Sequence, residues 1–414
     1  VSLYLRPHRA TTAQLQLLYP FVSEAGLRTD AVVVGKDLMG GTFCYDPWQL
    51  YANGELTNPN MVVAGQLGRG KSGFVKSFLW RQLAFGRRAW VIDPKGEYGP
   101  LATAAGVSPL RLRPGGSLRL NPLDLPKAVA GDRAEANRRR AELVGSLASS
   151  GLGRPLLPSE RAALDLAVAA AGREAANPVL PQVLRALLEP SATDAASLHS
   201  SASALAEDGR QVALELRRLV AGDLVGMFDA PTTPGLDLTA PVVVVDLSAL
   251  HSSPALPLLV TCATAWLQAL LSYERQQKRL VVVDEGWAIL RDLSVARWMQ
   301  SAFKLSRAYG VANVVVLHRL SDLTDAGEDG SAEKKLAEGL LADTETKVVF
   351  AQPPSEAELT ARLLGLGNVQ RALLSRLPKG VALWRVGERT FLVEHCLSAI
   401  EAALVDTDGP MREA

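Results

Sequence analysis

Gly65-Gln66-Leu67-Gly68-Arg69-Gly70-Lys71-Ser72 is the stretch that decides the fold. It fits the pattern GxxxxGK[ST], with an apolar run (Met61 to Ala64) entering it and a helix-forming stretch (Phe74 to Leu83) leaving it. Glycines at these positions let the backbone curl so that successive N–H groups face inward, where phosphate oxygens accept them. The helix N-terminus adds the positive end of its dipole. Gly65, Gly68, Arg69, Gly70, Lys71, Ser72 and Gly73 form the expected nucleotide-binding set. Lys71 reaches the β- and γ-phosphates, and Ser72 offers its hydroxyl to Mg²⁺.

Working outward, the next informative run is Leu280-Val281-Val282-Val283-Asp284-Glu285. An apolar strand delivers two adjacent carboxylates to its C-terminal end, where open α/β sheets hold their ligands. Asp284 is expected to hold Mg²⁺ through water, and Glu285 to align and polarise the attacking water as general base. The plainer alternative is a solvated acidic turn. The motif at Lys71 speaks for binding, and Glu285 is the residue that speaks for turnover.

Further candidates lie at other strand ends. His318 closes Val314-Val315-Val316-Leu317 and is read as a contact to the γ-phosphate or the attacking water, against a surface histidine. Asp93-Pro94-Lys95-Gly96-Glu97-Tyr98 is a sharp turn, in which Asp93 and Glu97 read equally as accessory residues or as ordinary turn charges. Arg307 reads equally as a residue that neutralises charge on the γ-phosphate, within a subunit or across a subunit boundary, or as an ordinary exposed helix arginine. Arg362 and Arg371 are alternatives for the same role.

Six valine- and isoleucine-rich runs read as buried parallel strands: Met61–Ala64, Ala89–Asp93, Val242–Leu247, Leu280–Asp284, Ala312–Leu317 and Lys347–Ala351. They alternate with helix-forming stretches, which argues for an α/β sheet covered on both faces. Between Lys127 and Gly226 the strand signal disappears, and Ser159–Ala171 and Ser201–Val220 read as helices of an inserted subdomain, with Ser159 as N-cap of the first. Val381–Val386 and Arg389–His395 around Gly387-Glu388 read as a hairpin. Gly40–Tyr51 reads as a strand and a turn, and Asp325–Lys335 as an exposed loop. The division expected is a lead-in at 1–60, the first part of the α/β domain at 61–126, the helical insertion at 127–226, and the remainder at 227–414.

Composition agrees with a large folded chain: 414 residues, 48% apolar, 21% charged. A formal net charge of +1 argues against a wholesale polyanion-binding surface. The one tight basic cluster, Arg138 to Arg140, reads equally as a DNA contact or a solvated helix face. Cys44, Cys262 and Cys396 are scattered and read as thiols of a reducing compartment. Pro254–Leu271 is apolar but carries Thr261, Thr264 and Gln268, so it reads as a buried helix and not a membrane span. The chain opens at Val1 without methionine and reads as the C-terminal portion of a longer, cytosolic protein.

The order of the P-loop, the DPKGEY turn, Asn121-Pro122-Leu123-Asp124, Met227-Phe228-Asp229, VVVVDLSAL, Asp284-Glu285-Gly286-Trp287 and RAYG…VVLHRLSDL resembles the HerA/FtsK superfamily of motor ATPases. Within it, the pattern is most similar to the large cytoplasmic ATPase of type IV secretion and conjugation systems. The resemblance runs from Gly40 to the C-terminus. It implies a RecA-like domain with an all-helical insertion, assembled as a hexameric ring with ATP and Mg²⁺ between subunits. It further implies hydrolysis that powers macromolecule transfer or pilus assembly, with inner-membrane channel components as partners. A protein of this kind works at the cytoplasmic face of the membrane without spanning it. A DNA-translocating motor of the same superfamily is the alternative, and an assembly module with little turnover is a third. The sequence departs from the family pattern at Gly286, where alanine is usual, at His318, where glutamine is typical, and at Ala308, where lysine is common.

Overall fold

The computed structural model describes residues 26–27, 31–125, 131–237, 240–251, 253, 255–271, 277–286, 300, 303, 309–321, 335, 339–341 and 343–406. Its frame is an eleven-stranded sheet of β1 (Val32–Asp37), β2 (Gly41–Tyr45), β3 (Met61–Ala64), β4 (Arg88–Asp93), β5 (Leu110–Arg111), β6 (Val242–Asp246), β7 (Arg279–Val283), β8 (Val311–Leu317), β9 (Thr346–Phe350), β10 (Val381–Val386) and β11 (Arg389–His395). The spatial order is β2-β1-β11-β10-β9-β3-β8-β7-β4-β6-β5. From β9 to β5 every pairing is parallel, and from β2 to β9 every pairing is antiparallel.

The parallel part follows from composition. Every residue of β3, β6, β7 and β8 is buried, as β-branched runs covered on both faces should be. The expected strands are all present, with ends shifted by about one residue, within the ordinary uncertainty of element ends. The expected hairpin is β10 and β11, paired from Val381↔Glu394 to Val386↔Arg389.

The helices are α1 (Pro47–Ala52), α2 (Lys71–Ala84), α3 (Gly99–Ala104), α4 (Arg133–Leu152), α5 (Pro158–Glu174), α6 (Leu180–Leu188), α7 (Ala192–Ser197), α8 (Ala202–Ala221), α9 (Leu256–Leu271), α10 (Pro354–Leu364), α11 (Asn368–Leu374) and α12 (Ala399–Val405). One sheet face carries α2, α3 and an aromatic group of Phe43, Tyr45, Phe74, Phe78, Trp384 and Phe391. The other face carries α9 and the helices α4 to α8. Leu143, Leu164, Val183 and Leu216 of that bundle share one continuous core with Val62, Ile92, Val283 and Val315 of the sheet. The bundle therefore has no separate dry core and is seated on the sheet.

Two local expectations are corrected. Helix α5 does not start at Ser159. Leu157 is its N-cap and Pro158 occupies the first helical position, with Glu160 Oε2 accepting the Leu157 N–H at 2.7 Å. Proline suits that position because its fixed φ is helical and the missing N–H is not needed there. The segment after β2 is helix α1 instead of a turn. Asp46 Oδ1 accepts from the N–H groups of Trp48 (2.8 Å) and Gln49 (3.1 Å), and Pro47 again starts the helix.

Helix α9 buries Leu259, Cys262, Ala263 and Trp266. Its two threonine hydroxyls donate to carbonyls one turn back, Thr261 to Pro257 (2.8 Å) and Thr264 to Val260 (2.6 Å). Among the described residues no helix is long and apolar enough to cross a membrane. Residues 325–334 of the expected exposed loop lie outside the described residues.

Candidate functional site

The parallel strands β3, β8, β7, β4 and β6 end along one edge of the sheet, and the chemistry-bearing loops leave from there. In register, Ala64 lies opposite Leu317, Ile92 opposite Val283, and Asp93 opposite Asp246. The loop after β3 is thus followed along the edge by His318, then Asp284 and Glu285, then Asp93. Adjacent strands are about 4.8 Å apart, which sets β3 and β7 on the order of 10 Å from each other.

The loop after β3 is shaped by its glycines. Gly65, Gly68 and Gly70 have φ of +156°, +74° and +112°. A Cβ on Gly65 would lie 2.6 Å from Phe350 Cβ, and one on Gly70 would lie 3.3 Å from Gly380 Cα. Hydrogen bonds tie the loop to its neighbours, from Gln66 N–H to Ala351 O (2.9 Å) and from Gly380 N–H to Arg69 O (3.0 Å). Gly70 caps α2 without a side chain, so no cap side chain competes for the first-turn N–H groups. Lys71 is buried, and its ammonium donates to the carbonyls of Gly65 and Gln66, the latter at 3.1 Å. Ser72 and Gly73 are half-buried in the first turn, with Val405 Cγ2 of α12 at 3.9 Å from the Cβ position of Gly73.

At the end of β7 the backbone turns over. Glu285 has φ of +54°, a left-handed conformation uncommon for a residue with a side chain. Both carboxylates are buried, Asp284 at 5% and Glu285 at 3% exposure. Burial, and then the neighbouring Glu285, push the Asp284 carboxyl above its ordinary range. Asp284 Oδ1 accepts the Glu285 N–H at 2.9 Å. His318 Nε2 lies 2.8 and 3.0 Å from the two oxygens of Glu285. Lys95 makes an ion pair with Oε1 from the opposite side.

Gly286 is explained by the same crowding. A Cβ there would lie 2.4 Å from Val315 Cγ1 and 3.3 Å from Leu317 Cδ2, so glycine lets the turn pack on β8.

A Mg²⁺–nucleotide fits this set. Glycines and the first turn of α2 form a cradle for phosphates, and the two crowded, buried carboxylates call for a cation. Ser72 and Asp284 would hold Mg²⁺ with phosphate oxygens and water, the sparse protein ligation this ion accepts.

The other described candidates are engaged within the fold or exposed. Asp93 is fully buried and pushed up to about 6, by burial first. It organises its own turn, accepting the N–H groups of Lys95 (3.2 Å), Gly96 (2.8 Å) and Tyr98 (2.8 Å). Glu97 pairs with Lys76 of α2 at 3.4 Å. Arg371 is paired with Glu358, and Arg362 is exposed on α10. Arg307 lies outside the described residues. The basic cluster is largely engaged within the fold. Arg138 and Arg139 bond Glu135, while Arg140 is buried, donating to the carbonyls of Leu123 (3.1 Å) and Ala176 (2.9 Å).

Asn121-Pro122-Leu123-Asp124 and Met227-Phe228-Asp229 join the helical bundle to the sheet. Asn121 Nδ2 donates to Asp124 Oδ1 (2.8 Å) and Pro178 O (3.0 Å), and Arg119 pairs with Asp229 (2.8 Å). Lys95 is the residue the sequence reading passed over. Its signal was positional, a cation in the turn after the strand adjoining β7.

The parallel sheet, the loop between β3 and α2 and the acidic end of β7 define a RecA-like P-loop NTPase fold. No protein-family model matches the sequence, and no curated protein matches it. Among solved structures, the chain is similar to VirB4 of Thermoanaerobacter pseudethanolicus, with a TM-score of 0.74 and 21% identity over 91% of this chain and 99% of that one. It is similar also to the bacterial conjugative coupling protein TrwBdeltaN70 in its unbound form, with a TM-score of 0.60 and 16% identity over 94% and 92% of the two chains. The plasmid coupling protein TrwB in complex with ADP and Mg²⁺ matches at a TM-score of 0.59 and 16% identity, over 94% of each chain. The fold implied by the HerA/FtsK resemblance is thus the fold observed.

Proposed function

We propose that this chain is a Mg²⁺-dependent ATPase of a conjugation or type IV secretion apparatus, working as a ring oligomer that powers macromolecule transfer or pilus assembly. The observation that carries the reading is the buried, doubly held carboxylate of Glu285 on the same sheet edge as the P-loop. A glutamate in that position supports turnover, not binding alone.

In this reading the N–H groups of the loop and Lys71 bind the β- and γ-phosphates. Ser72 and Asp284 hold Mg²⁺, which supplies charge neutralisation on the phosphate oxygens. Glu285 accepts a proton from water as the water oxygen bonds to the γ-phosphorus and the bond to the bridging oxygen of ADP breaks. His318, at hydrogen-bond distance from both Glu285 oxygens, orients that carboxylate. Arg307 remains the proposed cation supplied across a subunit boundary.

The likeness to VirB4 supports the secretion-type assignment, and the ADP–Mg²⁺ complex of TrwB supports the ligand. The likeness to a plasmid coupling protein keeps a DNA-pumping reading in view. The pairing of Arg138 and Arg139 with Glu135 counts against their serving as its DNA grip. Specific ATPase rate measured against protein concentration, with and without DNA, separates these readings. A rate that rises with concentration and ignores DNA supports the ring-forming secretion ATPase. DNA stimulation that falls steeply with salt favours the DNA pump. ATP binding with a flat, near-zero rate would instead make the chain an assembly module.

A further inference from the structure

The Glu285 carboxylate is held from the strands on both sides of its own, and one holding group, Lys95, lies outside both the P-loop and the acidic end of β7. Lys95 stands in the turn after β4, where Gly96 has φ of +74°. The three N–H groups that Asp93 accepts fix the backbone of that turn from inside. The turn is also fastened to the helix that follows the P-loop, because Glu97 pairs with Lys76 of α2 at 3.4 Å. Lys76 is fully buried, with its ammonium 5.3 Å from the centre of the Tyr98 ring. A short path of fixed groups therefore runs from α2 through Glu97 and Lys95 to Glu285.

Lys95 is only partly buried, and its ammonium reaches Oε1 of Glu285 while His318 approaches from β8. Glu285 has a left-handed backbone, and its carboxylate meets groups from beyond the ends of β8 and β4. A long carboxylate side chain on such a turn needs partners to keep one orientation.

We propose that Lys95 is a positioning residue for hydrolysis: it holds the Glu285 carboxylate in place and ties that placement to the P-loop helix through the Glu97–Lys76 pair. The inference rests on the reading of Glu285 as general base. A carboxylate released from this hold loses its alignment with the attacking water, and a misplacement of about 1 Å costs on the order of 100-fold in rate.

The test is steady-state ATPase kinetics on the full chain, with binding of a fluorescent ATP analogue and thermal unfolding as companions. Lys95→Ala is expected to lower kcat by about 10- to 100-fold with KM and analogue affinity within about threefold of wild type. Lys95→Arg should recover most of the loss, and Lys95→Ala combined with Glu285→Gln should be no slower than Glu285→Gln alone. If the alanine variant does not fold, Lys95→Met, which keeps the apolar stem, takes its place. Wild-type kcat in Lys95→Ala beside an inactive Glu285→Gln would overturn the role of Lys95 alone. A raised KM at unchanged kcat, or an arginine variant as slow as the alanine one, would overturn it too. A fully active Glu285→Gln would overturn the reading of Glu285 and the inference with it.

Discussion

The loop after β3 and the turn after β7 lie two strands apart on one sheet edge and are built from opposite materials. The first is made of backbone: glycines at φ of +156°, +74° and +112°, and N–H groups left open by a cap without a side chain. The second is made of side chains from three strands, with Glu285 from β7, His318 from β8 and Lys95 from the turn after β4. A backbone site is contiguous in sequence and tolerates little but glycine. A side-chain site is assembled by topology, and two of its members, Lys95 and His318, are more than two hundred residues apart.

The comparison breaks most visibly under substitution of the two charged groups. Glu285→Gln should lower turnover by about 10²- to 10⁴-fold while leaving ATP affinity near wild type. Lys71→Ala removes charge-assisted bonds to phosphate worth about 1.5–3 kcal/mol, so ATP affinity should fall about 10- to 100-fold together with activity. Phosphate release and equilibrium binding of a fluorescent analogue check both. Similar binding losses in the two variants would erase the distinction between the regions.

Crowding gives the next effect. Gly286→Ala drives a methyl into Val315 and should cost about 1–3 kcal/mol, seen as a lower Tm. The same methyl on Gly68, where no atom lies within 4 Å of the Cβ position, meets no steric clash and bears only the penalty of its φ of +74°.

Behind the P-loop helix, His395 Nε2 meets Ser77 Oγ at 2.8 Å. Burial, and then Arg81, lower His395 to about 4. A histidine depressed in the fold contributes stability above its ordinary value of about 6.5, and that stability is lost as pH falls from there toward 4. Wild type should therefore lose about 2 kcal/mol more than His395→Gln between pH 7 and pH 5, measured by Tm at both values. Equal losses would remove His395 as a support of α2.

The smallest effect is expected at His318. Glutamine keeps a donor toward Glu285, so His318→Gln should lower kcat by less than about tenfold. A larger fall would mean that the imidazole does more than orient the carboxylate.

The parallel half of the sheet was legible because β-branched runs buried on both faces have few other solutions, as in Val242–Asp246 and Val311–Leu317. The P-loop was legible because its residues are contiguous. The antiparallel edge was harder: β1 and β2 join the sheet through β11, a partner more than three hundred residues away that local pattern does not name. Helix α1 was missed because a six-residue helix shows little periodicity, although Asp46-Pro47 carried its start signal. Lys95 was missed because a lysine in a charged turn has no local mark of its task. The strand order β8-β7-β4 supplies that mark.

The account stands on the P-loop and the β7 turn being two halves of one hydrolytic site. Its most direct test measures ATP binding and Mg²⁺-dependent phosphate release on the same samples of wild type, Lys71→Ala and Glu285→Gln. The account predicts that wild type binds and hydrolyses, that Glu285→Gln binds without hydrolysing, and that Lys71→Ala does neither well. Wild-type phosphate release from Glu285→Gln would contradict it.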